Sequence, residues 1–365
     1  MKKHIYTIMM GTLGLFALSG CDSNVVATDE GQQQPILFSA GLPEAQTSAA
    51  GTRAVNTPFM DNQIAIVAAN AKIGTPTSPA TDWSSLYLNH EIGNVGAKTY
   101  VNGYDEYPIT LANAPKYWSF NPDEYLSFVA YSPIAGNSNI TRTNMTLTVA
   151  HGTDGTFFPD LLYTGTMGNY NKTNKAVRLD FQHAMAKVVV KVMALDKDGN
   201  EMTDNTKLPL KNLHITSLVL NTKVTTGTFG LVSSQWTLTD PGSSASPSVT
   251  YTLVSAATPT SVPYTNSATS VCYLLPATSA VNTVALSSLT IKLKEDGVTD
   301  EVGGEFPLSS FKQIDGKPVT LEMGKTTVLL VKLQYSDIPT DNVKIKLMGQ
   351  LVEWDYKGTS TVVIE

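Results

Sequence analysis

The sequence predicts an all-β fold of packed antiparallel sheets, and three observations predict it. Only 15% of the 365 residues are charged, while Thr, Ser, Val, Leu and Asn are abundant, unlike the Glu-, Lys- and Ala-rich make-up of helical proteins. Apolar residues recur with a period of two, and no stretch sustains a period of 3.6. Turn signals separate these runs, so the pattern reads as a β-sandwich. The length exceeds one ordinary core, which makes two sandwiches the expectation.

Residues 1–20 precede the folded part. Lys2 and Lys3 give a positive start, and Ile5 to Ala17 form an apolar run of signal-peptide length, too short to span a bilayer as a helix. The run closes on Leu18-Ser19-Gly20-Cys21, which reads as a lipobox. There the Cys21 thiol is expected to take a diacylglycerol, with cleavage leaving Cys21 as the new N-terminus of a membrane-anchored lipoprotein. Of the two cysteines, Cys272 then has no intramolecular partner, so no structural disulfide is expected. It lies in the apolar run Val271 to Leu275 and reads as a small core residue rather than a nucleophile.

Loss of the leader takes the 25 lysines and arginines to 23 against 31 acidic residues, a net charge of about −8. This excludes the basic footprint that nucleic-acid binding needs.

Residues 22–58 are mostly small and polar, except for the strand-length run Pro35-Ile36-Leu37-Phe38-Ser39-Ala40. Gly41 to Ala54 has no periodicity and reads as a protease-accessible linker whose only basic residue is Arg53. From Gln63 onward strands recur. Ile64 to Val67 is a buried run, and Tyr117-Trp118 and Tyr125 to Tyr131 flank a turn at Asn121-Pro122-Asp123. Val188, Val190 and Val192 face away from Lys187 and Lys191. Leu289, Ile291 and Leu293 alternate with Thr290, Lys292 and Lys294 before the hairpin dipeptide Asp296-Gly297. Thr327 to Leu333 is another strand, and Val343, Ile345 and Leu347 alternate with Lys344 and Lys346. The apolar phase then switches to Val352 and Trp354, which predicts a bulge at Gly349. Residues 70–116 and 240–270 read as long loops, and a domain junction is expected near residue 180. The expected division is a leader at 1–20, a propeptide at 21–53, and sandwiches at 54–180 and 181–365.

Motifs that look chemical read as structural. Gly324-Lys325-Thr326 resembles the end of a phosphate loop, but Val319 stands where the first glycine belongs, and a strand rather than a helix follows. Asp196-Lys197-Asp198-Gly199-Asn200 lacks the glycine position and the twelfth-position glutamate of a calcium loop, and reads as a turn. His90, His151, His183 and His214 are scattered without metal-ligand spacing, and His183 is expected to be a hydrogen-bonded structural imidazole. No nucleophile elbow, catalytic residue, cofactor motif or metal cluster emerges, so an enzyme is not expected. Trp83, Tyr104 and Tyr107 lie in loop-like sequence and are the candidates for exposed contacts with a glycan or host ligand, whereas Tyr117 and Trp118 read as core.

Several separated segments together resemble the fimbrillin family, the type V pilins of Bacteroides-like bacteria. They are the Cys21 lipobox, the run Ile36–Ala40 followed by Thr52-Arg53-Ala54, Tyr117-Trp118 with Leu126 to Pro133, Asp160-Leu161-Leu162-Tyr163, Leu179 to Val188, Tyr273-Leu274-Leu275-Pro276, Met323-Gly324-Lys325 and Trp354. The resemblance implies two tandem transthyretin-like β-sandwich domains with Greek-key-type sheets, exported as an outer-membrane lipoprotein precursor and then placed in a cell-surface fimbrium. It implies that an arginine-specific protease cuts between Arg53 and Ala54 and removes the first strand, with Ile36, Leu37, Phe38 and Ala40. A strand from another copy or a related pilin then fills the groove, and Val362, Val363 and Ile364 would form the matching donor. The alternatives left open are a permanently lipid-anchored adhesin, or an anchor or tip subunit, in which Ile36–Ala40 stays in the sheet.

Overall fold

The structure, a computed structural model, describes residues 33–42, 59–71, 79–101, 104–136, 139–150, 158–174, 176–196, 198–204, 206, 212–238, 249–265, 272–277, 286–297, 299–312, 319–334 and 344–353. For Met60, Ala71, Tyr104, Leu286, Ser287, Gln334 and Lys344–Glu353 only the backbone is described. Cys21, Arg53, Ala54, Val362, Val363 and Ile364 lie outside these residues.

Alternating apolar residues make strands throughout, and no α-helix occurs among the described residues. The first strands are β1 (Phe38–Gly41), β2 (Gln63–Ala71), β3 (Leu86–Val95), β4 (Thr99–Val101), β5 (Tyr104–Leu111) and β6 (Tyr125–Ser132). Next come β7 (Ile140–Thr143), β8 (Thr146–Ala150), β9 (Leu162–Tyr163), β10 (Met167–Tyr170), β11 (Val177–Asp180) and β12 (Gln182–His183). The second half opens with β13 (Ala186–Leu195), β14 (Glu201–Met202), β15 (Leu213–Thr222), β16 (Thr226–Gly230), β17 (Gln235–Leu238) and β18 (Val249–Val254). It closes with β19 (Thr260–Ser261), β20 (Tyr264–Thr265), β21 (Cys272–Leu274), β22 (Leu286–Glu295), β23 (Val302–Pro307), β24 (Lys325–Gln334) and β25 (Lys344–Glu353).

The first sheet runs β11-β1-β5-β3-β2-β6-β9-β12, with β10 on β6 and β4 on β5. Its two outermost strands, β11 and β12, are joined by Phe181 alone. That link spans no more than about 7 Å, so the sheet curls back until its ends meet. Inside the curl lies a core that includes Ile36, Phe38, Ala40, Ile64, Ile66, Phe128, Val177 and Phe181. β2 and β6 are buried on both faces. Ile64, Ile66 and Phe128 enter this core, while Ala65, Val67, Val129 and Tyr131 enter a second one, which is why both strands read as unbroken apolar runs.

The second core is closed by a six-stranded sheet, β14-β13-β24-β25 with β20 and β21 on β13, and a five-stranded sheet, β18-β15-β22-β23 with β19 on β15. Val188, Val190, Val192, Leu329 and Val331 share this core with Ile215, Leu220, Leu289 and Ile291, the sandwich arrangement expected from alternation. Residues 34–365 form one compact unit. The position expected for a domain junction, near 180, falls where β11 passes into β12, and a four-stranded sheet, β17-β16-β8-β7, draws on both sides of it.

Three expectations are corrected. Residues 70–116 hold β3, β4 and β5 rather than a long loop. Their glycine and proline content misleads because Gly93 serves packing: a Cβ there would lie 2.5 Å from Ile109, so glycine admits Ile109 to the core. Residues 240–270 likewise hold β18, β19 and β20. Gly349 makes no bulge, since β25 pairs with β24 in unbroken register, Gly349 opposite Leu329.

The remaining chemical-looking motifs are structural where they are described. Asp196 Oδ1 accepts the amides of Asp198 and Asn200, a turn between β13 and β14. Gly324, with φ of 70°, donates its amide to the Met185 carbonyl. His183 Nδ1 lies 3.0 Å from both carboxylate oxygens of Asp160, the structural imidazole expected, and Cys272 is fully buried.

Candidate functional site

The site that concerns function is the slot occupied by residues 34–41. Pro35 forms an isolated bridge with Tyr117 at its entry, a position where a missing amide is tolerated. The following residues alternate: Ile36 is 5% exposed, Leu37 56%, Phe38 5% and Ala40 0%. This is the pleat expected of a half-buried strand, so three of the four residues assigned to the displaced strand point into the core and Leu37 points to solvent.

β1 is bonded along both edges. It runs antiparallel to β5, with Phe38 opposite Ile109 and Ala40 opposite Tyr107. It runs parallel to β11, with Phe38 opposite Val177 and Ala40 opposite Leu179. Beyond the strand proper, the Ile36 amide donates to the Lys116 carbonyl and the Trp118 amide to the Gln34 carbonyl, at 2.8 and 2.9 Å. On the opposite edge the amides of Val177 and Phe181 donate to the carbonyls of Leu37 and Gly41, both at 2.8 Å. Ser39 faces outward and donates its hydroxyl to Glu106. Among the described strands β11 pairs with β1 alone. β1 therefore fills a slot one strand wide, about 10 Å between the flanking strands.

Aromatic rings line the slot. Phe38 meets Phe128 edge-on at 5.7 Å, and Phe128 is backed by Trp118 at 6.3 Å and Tyr170 at 5.6 Å. Past Ala40, Tyr107 packs on Phe59 at 5.7 Å and Phe59 on Phe181 at 5.0 Å.

The three aromatics assigned to ligand contact do not form a shared platform. Tyr107 is 4% exposed because alternation along β5 turns it inward, so its assignment to an exposed contact is corrected. Trp83 is half-buried; its indole N–H donates to the Ala80 carbonyl at 2.9 Å, and its ring packs against the core. The Tyr104 side chain lies outside the description. Trp118 is core, as expected, at 3% exposure, with Tyr117 half-buried beside it. Among the described residues the exposed aromatics are instead Tyr100 at 72%, Phe120 at 58% and Tyr87 at 41%. Sequence reading also missed the slot's walls. The alternation Val177-Arg178-Leu179-Asp180 would have shown β11, but nothing near Phe59 announces a core ring.

One further titratable group stands apart. His90 adopts φ of 54°, its Nδ1 lies 3.1 Å from the Tyr131 hydroxyl, and burial together with the Arg142 charge lowers its pKa to about 4. Among the described residues no three His, Cys, Asp or Glu side chains gather as a metal site, and no helix is long and apolar enough to cross a membrane.

A family model described as fimbrillin-like matches residues 52–347. Among solved structures, a candidate cell adhesion protein of Bacteroides ovatus shares 16% identity at a TM-score of 0.50, covering 90% of this chain and 100% of that one. A second, from Bacteroides uniformis, shares 13% identity at a TM-score of 0.50, covering 88% of this chain and 98% of that one. At these identities the likeness is one of fold. No curated protein matches the sequence.

Proposed function

Because the chain belongs to the fimbrillin-like family, we propose that it is a fimbrial subunit that polymerises when its first strand is cut away and replaced by a strand from a neighbouring subunit. Its place is the fimbrial, adhesive surface of the cell, in a family that is structural rather than enzymatic, and its partners are other fimbrial subunits. The observation that carries the finer reading is that β1 bonds along both edges while Ile36, Phe38 and Ala40 enter the core.

In this reading Cys21 is acylated and holds the precursor at the outer membrane. An arginine-specific protease cuts between Arg53 and Ala54, and residues 21–53 depart with β1. Departure uncovers apolar side chains and two rows of backbone groups, a state that favours strand addition. A donor carrying Val362, Val363 and Ile364 supplies the replacement, with Val362 and Ile364 entering pockets vacated by residues such as Ile36 and Phe38. Reburying two such side chains contributes about 1.5–3 kcal/mol each, and the ladder bonds slow release further. Donor and acceptor surfaces differ, so the contact does not close on itself and propagates into a fibre.

The experiment is processing of the lipoprotein by an arginine-specific protease. Wild-type chain should yield an N-terminal Ala54 and polymers, whereas Arg53→Ala should remain monomeric and uncut. Polymers forming unchanged from the substituted chain would overturn the reading. An acylated Cys21 retained at the cell surface would favour the permanently anchored adhesin or anchor subunit.

A further inference from the structure

The β1 slot differs along its length. At Ile36 and Phe38 it takes large side chains, the second of them against the Phe128 ring. At Ala40 it takes only a methyl group, fully buried. Ala40 stands directly opposite Tyr107 on one side and Leu179 on the other, and side chains so paired have Cβ atoms about 4.5–5.5 Å apart. Behind Tyr107 stand Phe59 and Phe181, at 2% and 0% exposure. Phe181 is also the residue through which the curled sheet turns from β11 into β12. The wall beyond Ala40 is thus three interlocked rings carried by three separate segments, and close-packed interiors resist displacement of such rings. Phe59 follows Arg53 in the chain, so a cut there leaves the whole wall with the subunit. The outward positions differ: Leu37 is 56% exposed and Ser39 donates its hydroxyl to Glu106, so neither meets a ring wall among the described residues.

We propose that the slot is a size-graded receptor for one extended segment of a second subunit, with two bulky apolar residues at alternate positions and alanine, serine or glycine at the third. Phe59, Tyr107 and Phe181 act as the register stop. This rests on the strand-exchange reading above and adds which segment is accepted and where it halts. A slip of one residue turns the bulky side chains to solvent. A slip of two residues towards the rings drives a bulky side chain into the methyl-sized position. A slip of two residues the other way puts the small residue at the Phe38 position and leaves a cavity against Phe128, so one register is favoured.

The test uses the chain cut after Arg53 and synthetic peptides with the sequence of residues 33–42, the native β1 segment. Competition binding gives relative affinity, and intact mass spectrometry shows whether the original segment has been replaced. The native-sequence peptide should exchange in. An Ala40→Leu peptide should bind about tenfold or more weakly, the usual result of overpacking, and a Phe38→Ala peptide about a hundredfold more weakly. Leu37→Ala should stay within about threefold of the native peptide. Equal binding of the native and Ala40→Leu peptides would overturn the size grading while strand exchange stands. Failure of the native peptide to enter the cut chain at all would overturn strand exchange, and the grading with it.

Discussion

β1 and β13 each pair in parallel along one edge and antiparallel along the other, yet they are held in different ways. β13 pairs in parallel with β24 from Lys187 to Leu195, and β21, β20 and β14 succeed one another along its other edge. β1 pairs in parallel with β11 over Phe38–Gly41 and with β5 over only Phe38–Ala40. β13 also continues at both ends into other core elements. The route from β1 to the rest of the sheet runs only through the chain after Gly41, so a single cut at Arg53 leaves it held by non-covalent contacts alone. In the proposed reading the short strand with one covalent tether is the one exchanged, whereas the long strand stitched in at both ends is framework. Parallel pairing by itself does not separate the two; length and chain continuity do.

The comparison breaks most sharply at Val190 in the middle of β13. Val190→Asp places a carboxylate in the second core, where it is fully enclosed, and should cost about 4 kcal/mol or more. Thermal unfolding of the uncut chain should show a large loss or no cooperative transition, and a small shift would mean that β13 is not framework. In β1, Phe38→Ala removes a buried ring and should cost about 3 kcal/mol in the uncut chain. After cutting at Arg53 the same change should release the segment faster, followed by size-exclusion chromatography. Retention equal to wild type would place the hold on β1 elsewhere. The smallest effect belongs to Leu37, on the outer face of the same strand: Leu37→Ser should move the unfolding midpoint by no more than about 0.5 kcal/mol equivalent. A larger loss would mean that the outer face of β1 is covered too.

Much of this fold was legible before any coordinates. The alternation of Val188, Val190 and Val192 and of Leu289, Ile291 and Leu293 named the inward faces of β13 and β22, and Asp296-Gly297 marked the turn between β22 and β23, with Gly297 at φ of 82°. Ile36 to Ala40 stood out as a strand. The failures have physical causes. Residues 70–116 looked like a loop because a glycine needed for close packing, as Gly93 is, has the same letter as one needed for a turn. Tyr107 looked like surface because β5 is laced with Pro108 and charged residues, and only its pairing with β1 and β3 shows which side is inside. The phase change at Gly349 suggested a bulge, but a ladder can run straight through such a change.

Alternation, turn chemistry and the leader are relations between residues a few positions apart, so the chain carries them whatever surrounds it. From them came the all-β class, the inward faces of β13 and β22 and the strand at residues 35–40. Which strands become neighbours is a relation between residues 70 or 140 positions apart, chosen by competition among registers for one shared interior. The curl that brings β11 beside β12, the slot between β5 and β11, and the rings that close it at Ala40 exist only once that competition has been settled.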